Sequence, residues 1–340
     1  MFLAPNLPAA CAEFLHDDVN MPKIQPVYFL LLPDTLLLDL AGPADAFLFA
    51  NRYQEQVRFE MRFISPKDSV TSSVGLQLGP LHPMPDRLDD GAILVLPGLI
   101  GGKEVYQHAD AQAVIYWLSK HVHTQHRLMC ICSGALLAAY AGLLHGHKAT
   151  THHNHCDDLA SIDSSIKIEE NRIFVEDGHI STSAGVTAGI DLALHIINDM
   201  VGPLAATAVA RNLVVYMRRC GTDPQLSPWL KYRNHLHPVV HKIQDAMVHD
   251  PAYPWTLPEL ASIACTSTRH VTRLFKSHTE VSVQTYLSSL RLSLANKFLS
   301  NTDWSIDRIA EASGFGSARQ FRRIWSTQFS APPSAFQQGR

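Results

Sequence analysis

Ala92-Ile93-Leu94-Val95-Leu96 is apolar at every position and stops at Pro97-Gly98. A strand without polar alternation has both faces covered, as in a parallel sheet with helices on each side. Two further segments read the same way. One is Val27-Tyr28-Phe29-Leu30-Leu31-Leu32, in a stretch that opens at Pro22 and ends at Pro33; the other is Arg127–Cys132. Val57–Ile64 alternates instead, with Val57, Phe59, Met61 and Phe63 on one face and Arg58, Glu60 and Arg62 on the other. Ile166–Val175 and His179–Thr182 read as short strands. Helical segments run from Gly42-Pro43 to about Asn51, over Ala111–Val122, over Ser133–Leu144 and over Val186–Val201. Strands alternating with helices predict a doubly wound, mostly parallel α/β sheet.

At 340 residues the chain exceeds one ordinary core, and a length prior of about 150 residues per domain suggests two. No apolar run approaches the roughly 18 residues needed to span a bilayer. Residues 1–22 lack the basic start and long apolar stretch of a signal peptide and read as a mobile leader. Six scattered cysteines fit a reducing compartment, so a cytoplasmic protein is expected. Charge divides the chain. Residues 240–340 hold 11 Lys and Arg against 7 Asp and Glu, a balance of +4, whereas residues 1–239 balance at −7. An acidic large part joined to a basic small part suggests one module for a small molecule and one for a polyanion.

Beyond Gly221-Thr222-Asp223-Pro224 only helical periodicity remains, and 221–237 reads as a linker into a second domain over 238–340. There, residues 257–277 and 306–327 repeat one plan of short helix, tight turn and longer helix. Thr256 and Glu259 stand at capping-box spacing. Ser267 is placed to cap a helix over Thr268–Ser277, with Val271, Leu274 and Phe275 inward and Arg269, Thr272, Arg273 and Lys276 outward. After an amphipathic helix over Val283–Leu299, Ser305 caps Ile306–Ala312 and Gly314 turns the chain. Ser317 then caps a helix with Phe321, Ile324 and Trp325 inward and Arg319, Gln320, Arg322 and Arg323 outward. One cationic face is as easily a solvated surface as a binding surface. Two copies behind capped helices point to DNA, because a helix of this size fits the major groove. There Arg pairs with guanine and Gln with adenine.

These residues resemble the AraC/XylS transcription regulators. The resemblance rests on Leu257-x-x-Leu260-Ala261, Ser267-x-Arg269-x-Val271-x-Arg273-Leu274-Phe275, Arg291-Leu292-x-x-Ala295, Ile306-x-x-Ile309-Ala310, Gly314-Phe315-x-Ser317-x-x-x-Phe321 and Pro333-Ser334-Ala335-Phe336. It departs from the family at Cys265 and Ser330, where a Gly is usual. It implies an all-α domain with two helix-turn-helix motifs. Arg269, Thr272, Arg273, Lys276, Ser317, Arg319, Gln320, Arg322 and Arg323 would be the DNA-contacting residues.

In the acidic part, Cys132 stands between an apolar strand and the helix opening at Ser133-Gly134-Ala135, so a sharp turn lifts its side chain above the sheet edge. The following amides and helix dipole would favour a thiolate. His152 lies in Ala149-Thr150-Thr151-His152. This part resembles the glutamine-amidotransferase-like (ThiJ/PfpI) superfamily over residues 24–200, and the whole chain resembles GlxA-type AraC regulators. The resemblance implies a flavodoxin-like, amidotransferase-like sheet over residues 23–220. It places Asp39 of Leu38-Asp39-Leu40-Ala41-Gly42-Pro43 beside the thiol and the Leu96-Pro97-Gly98 loop against the pocket, although Leu99 replaces a common second Gly.

Cys132, His152 and Asp39 are thus nucleophile-elbow candidates. Turnover would destroy the effector that a DNA reader senses, so a ligand pocket of Asp39, Gly98, Leu99, Cys132, Ser133 and His152 is expected rather than an enzyme. Eight of the 19 histidines fall between His121 and His155, in spacings that match no defined zinc pattern, so neither metal nor cofactor is expected. The resulting expectation is a transcription regulator whose first domain senses a small polar, possibly amine-containing metabolite. Its expected partners are promoter DNA, the effector, RNA polymerase and a second copy joined through the first domain. The alternatives are a cysteine-dependent amidase or hydrolase tethered to DNA, or a thiol or metal sensor.

Overall fold

The computed structural model describes residues 21–215, 219–221, 223, 225, 232, 233, 235, 237–329 and 331–337. The leader expected over 1–22 therefore lies outside the described residues apart from Met21 and Pro22, and so does Ser330. The chain divides into two units, Met1–Gln225 and Leu226–Arg340.

In the first unit the apolar runs become the central strands β1 (Lys23–Leu30), β6 (Ile93–Leu96) and β7 (Arg127–Ile131). They lie inside a seven-stranded sheet ordered β10-β11-β7-β6-β1-β2-β5. The flanking strands are β2 (Val57–Ser65), β5 (His82–Pro83), β10 (Phe174–Asp177) and β11 (Ile180–Ser183). Every neighbouring pair is parallel except β10 with β11. Small two-stranded ladders, β3 (Val70–Thr71) with β4 (Gln77–Leu78) and β8 (Lys148–Ala149) with β9 (Lys167–Ile168), lie outside this sheet.

Because side chains alternate across a strand, one run fills two cores. Tyr28, Leu30 and Leu32 join Leu94, Leu96, Leu128 and Cys130 beneath α2 (Ala109–His121), α3 (Gly134–Tyr140) and α4 (Cys156–Ile162). Val27, Phe29 and Leu31 join Ile93, Val95, Met129 and Ile131 beneath α1 (Leu37–Tyr53), α5 (Ala188–Val201) and α6 (Pro203–Asn212). Helix α1 starts at Leu37, ahead of the Gly42-Pro43 start expected from sequence. Pro43 sits inside the helix, where it forgoes one backbone bond, and burial of Leu40, Ala46 and Phe47 holds the added turn against the sheet. The strand expected over Ile166–Val175 is divided into β9 and β10, with Asn171 in a left-handed conformation (φ 55) between them.

The second unit is all helix among the described residues: α7 (Pro238–His249), α8 (Leu257–Ile263), α9 (Thr268–Thr279), α10 (Val283–Asn301), α11 (Ile306–Ala312), α12 (Ala318–Trp325) and α13 (Pro333–Gln337). It holds two cores. Val240, Ile243, Leu260, Val271 and Phe275 form the first, and Ile309, Phe315, Phe321 and Trp325 the second. Helix α10 serves both, lending Tyr286, Leu287 and Leu290 to one and Leu292, Ala295 and Leu299 to the other. Its 19 residues span about 28 Å at 1.5 Å per residue.

Candidate functional site

Cys132 follows the last residue of β7 and adopts φ 55, the left-handed conformation that lets the chain turn from strand to helix at once. Its amide donates to the Ser183 carbonyl (3.0 Å), and its own carbonyl accepts from the Thr151 hydroxyl (2.8 Å). The elbow needs glycine on two sides. A Cβ on Gly134 would lie 2.0 Å from the Leu96 carbonyl oxygen, and one on Gly185 would lie 2.1 Å from the Cβ of Cys132. Cys132 is 4% exposed.

Asp39, in the first turn of α1, has no exposed surface. Its Oδ2 accepts the Gly98 amide (3.1 Å), its Oδ1 accepts the Val186 amide (2.6 Å), and the Cys132 thiol donates to the same carboxylate. Burial pushes the Asp39 acid up, and these hydrogen bonds oppose the push. The Cys132 thiol is pushed up to about 12, first by burial and then by the Asp39 charge. This corrects the thiolate expectation. The helix-end dipole is outweighed by desolvation and a facing carboxylate, and Cys132 is a protonated donor at neutral pH.

Ser133 is spent on structure. Its hydroxyl accepts the Leu99 amide (2.9 Å) and donates to the Leu99 carbonyl (3.0 Å), while Tyr106 donates to the Ser133 carbonyl (2.9 Å). Asp39, Gly98, Leu99, Cys132 and Ser133 thus lie together. His152 is engaged elsewhere. Its Nδ1 accepts the Asn154 amide (3.3 Å), and its ring lies 4.2 Å from that of His153. Burial, then the neighbouring His153 and His155, lower its pKa to about 4, so it is neutral. The thiol's described partner is Asp39, and among the described residues no hydrogen bond joins it to the His152 imidazole, the pairing that nucleophilic catalysis uses.

Sequence reasoning missed Tyr106, Thr151 and Val186, all of which hold the centre. Of these only Thr151 stands in a motif quoted above, Ala149-Thr150-Thr151-His152. Of the clustered histidines, His145, His147 and His155 face Asp163 (2.9 Å), Asp177 (3.1 Å) and Asp158 (3.1 Å). Among the described residues, donor atoms of Glu176, His195 and Asp199 lie within 4.8 Å of one another. Arg127 sits 3.9 Å from both carboxylates, which makes this a charge cluster.

In the second unit the predicted caps are all made. Thr256 and Glu259 form the reciprocal capping box, and Ser267, Ser305 and Ser317 accept the amides of His270 (3.3 Å), Arg308 (3.3 Å) and Gln320 (3.2 Å). Arg269, Arg273 and Lys276 on α9, and Arg319, Arg322 and Arg323 on α12, are exposed. None has an acidic partner among the described residues. An open concavity of ≈ 540 Å³ is lined by Arg269, Thr272, Arg273, Lys276 and Ser277. Three predicted contacts are also tied locally: Ser317 caps α12, Gln320 Oε1 holds the Gly316 amide (2.9 Å), and Thr272 donates to the Thr268 carbonyl (3.0 Å). Arg291 of α10 is buried and donates to the Pro251 and Tyr253 carbonyls (2.8 Å each), which ties α10 to the turn before α8.

Residues 25–199 match the DJ-1/PfpI family and residues 260–339 match a helix-turn-helix domain family. The chain therefore belongs to the DJ-1/PfpI family and carries an AraC-type helix-turn-helix domain, the architecture of a DNA-binding transcription regulator. It is 30% identical over 314 residues to the HTH-type transcriptional regulator CdhR of Pseudomonas aeruginosa, covering 91% of this chain and 90% of that one. It is 32% identical over 185 residues to an isonitrile hydratase of Pseudomonas putida, covering 54% of this chain and 76% of that one. A ThiJ/PfpI family protein from Pseudomonas syringae aligns with TM-score 0.50 and 22% identity over 77% of this chain and 96% of that one, and so shares the fold. No helix among the described residues is long and apolar enough to cross a membrane.

Proposed function

We propose that this chain reads promoter DNA with α9 and α12 and responds to a small polar metabolite in its first unit, acting in the cytoplasm as a homodimer joined through that unit. One observation carries the DNA reading: two capped helices, each with its own core and sharing α10, display six cations that no acidic side chain among the described residues neutralises. Unneutralised cations on a rigid helix are what phosphates and base edges require. RNA polymerase is the natural further partner of such a promoter-bound dimer. The effector would act through the Asp39–Cys132 centre. Asp39 accepts protein donors and has no exposed surface, so an amine-containing effector would reach its charge only by displacing a group that now covers it.

The test is fluorescence anisotropy of the full chain on a duplex selected from a random pool. Arg323→Ala is expected to weaken binding by about 1–3 kcal/mol and to relax sequence preference, with affinity falling steeply as salt rises. Weak binding that ignores salt and the substitution would refute the proposal.

The likeness to an isonitrile hydratase favours a second reading, in which Cys132 and Asp39 act on a substrate. The protonated thiol and the disengaged His152 weigh against it. Cys132-dependent turnover of isonitrile or amide substrates, lost in Cys132→Ser, would establish it.

A further inference from the structure

Arg219, Gly221, Asp223 and Gln225 are read from sequence as the end of the first domain and the beginning of a linker. They are instead bonded into the first unit, and their bonds converge on one place. The Arg219 guanidinium grips Asp191 Oδ2 through Nε (2.8 Å) and Nη2 (2.6 Å), its amide donates to Asp191 Oδ1 (3.0 Å), and Nη2 also donates to the Thr187 hydroxyl (2.8 Å). Thr187 is the neighbour of Val186, whose amide Asp39 holds. At the other end the Gln225 amide side chain donates to the Thr151 carbonyl (2.7 Å), and the Thr151 hydroxyl holds the Cys132 carbonyl. Between them, the Gly221 and Asp223 carbonyls both accept the Ile173 amide (3.1 and 3.0 Å). The Ile173 carbonyl in turn accepts the amide of Ala184 (2.8 Å), the residue before the Gly185 that lies against Cys132.

We infer that Arg219 and Gln225 are coupling residues. Together with the Gly221 and Asp223 carbonyls between them, they fasten the chain leaving the first unit to the three backbone segments that enclose the thiol centre, so that a change at Asp39–Cys132 is transmitted as loosening of that fastening. Each route is no more than two hydrogen bonds and one or two residues long. A passive tether needs none of this, least of all a two-pronged ion pair on an aspartate whose side chain is 4% exposed. Anything that moves the Cys132 carbonyl, Gly185 or the Val186 amide moves an anchor point of Gln225, Ile173 or Arg219. Coupling of this kind is reciprocal, so loosening the anchors must also loosen the centre. This inference rests on the regulatory reading above for its purpose, but not for its measurement.

The measurement is amide hydrogen exchange on the full chain, with DNA affinity read beside it. Arg219→Gln and Gln225→Ala are expected to speed exchange in the 184–187 and 150–152 peptides by about tenfold, equivalent to about 1.4 kcal/mol of local opening. In the opposite direction, Asp39→Asn is expected to speed exchange at the Arg219 amide. Arg219→Lys, which keeps the charge but not the two-pronged grip, replaces Arg219→Gln if that variant does not fold. Faster exchange confined to the substituted peptide would overturn the inference. So would propagated exchange with DNA affinity unchanged in both anchor variants. A wild-type chain that binds no DNA sinks the regulatory reading instead, and the two-way exchange result still decides whether the anchors and the centre are linked.

Discussion

Gly185→Ala puts the closure of the thiol centre to a quantitative test. Gly185 has φ 84, which an L side chain tolerates at a cost of about 1–2 kcal/mol. The added methyl would sit 2.1 Å from Cys132 Cβ, 2.7 Å from its Cα and 2.8 Å from its sulfur. These atoms belong to a rigid elbow and not to the end of a flexible side chain, so overpacking adds about 1–3 kcal/mol. The total is about 2–5 kcal/mol. At about 2–4 °C per kcal/mol for a unit of this size, the first-unit transition followed by circular dichroism should fall by about 4–20 °C. Cys132→Gly removes the Cβ and sulfur and suits φ 55, so the same substitution in that background should cost less by about 1–3 kcal/mol, the coupling expected of touching residues. An equal cost in both backgrounds, or a near-neutral Gly185→Ala, would refute the packing argument.

Three further outcomes are expected. Arg291→Ala leaves the buried Pro251 carbonyl without its donor and the Tyr253 carbonyl with the Trp255 amide alone, and should lower the second unit's urea stability by about 1–3 kcal/mol, with Arg291→Lys recovering only part; a wild-type midpoint would contradict this. His152 titrates near 4 in the fold against 6.5 when unfolded, so the unfolded chain takes the proton first. Its contribution to stability is complete above pH 6.5 and is lost as pH falls toward 4, and the decline in melting temperature across that window should flatten in His152→Gln. An unchanged slope would show that other groups set it. Iodoacetamide near pH 7 should label the exposed Cys265 while leaving Cys132 unmodified until the chain is unfolded, as read by peptide mass spectrometry; labelling of both at one rate would contradict the buried thiol.

What was legible in the sequence is what is locally determined. The central strands show because each carries an unbroken apolar run, and β2 because it alternates. The double helix-turn-helix shows because Ser267, Ser305 and Ser317 cap amides three residues ahead of them. Helix α6 escaped notice because Ala205, Ala206, Val209 and Ala210 bury a face of small side chains with little hydrophobic contrast. Pro43 mis-set the start of α1 because a proline reads as a first helical residue, and tertiary burial overrode it. The members of the thiol centre were legible only through the resemblance, and its chemistry was not. Whether Cys132 is thiol or thiolate depends on Asp39, 93 positions earlier, and Asp39 in turn holds an amide 147 positions further on. The Arg219–Asp191 grip joins residues 28 apart across a region that reads as the edge of a linker.

The centre also has the energetics that a sensor needs. Cys132 (φ 55) and Val186 (φ 52) both occupy the left-handed region, and a β-branched Val there is an outlier that persists only where its surroundings hold it. Both are held by the same few bonds: Asp39 takes the Val186 amide and the Cys132 thiol, while Ser183 takes the Cys132 amide. Each strained residue stores on the order of 1–3 kcal/mol. A ligand that competes for Asp39 therefore breaks bonds and releases strain in one event. That sum is comparable to the coupling of about 1–3 kcal/mol by which one site typically biases another. Turnover would need the Cys132 proton to be taken up, and the acceptor beside it, Asp39, is already held by two backbone amides. On the sensing reading proposed above, the protonated Cys132–Asp39 pair serves an equilibrium between bound and released states.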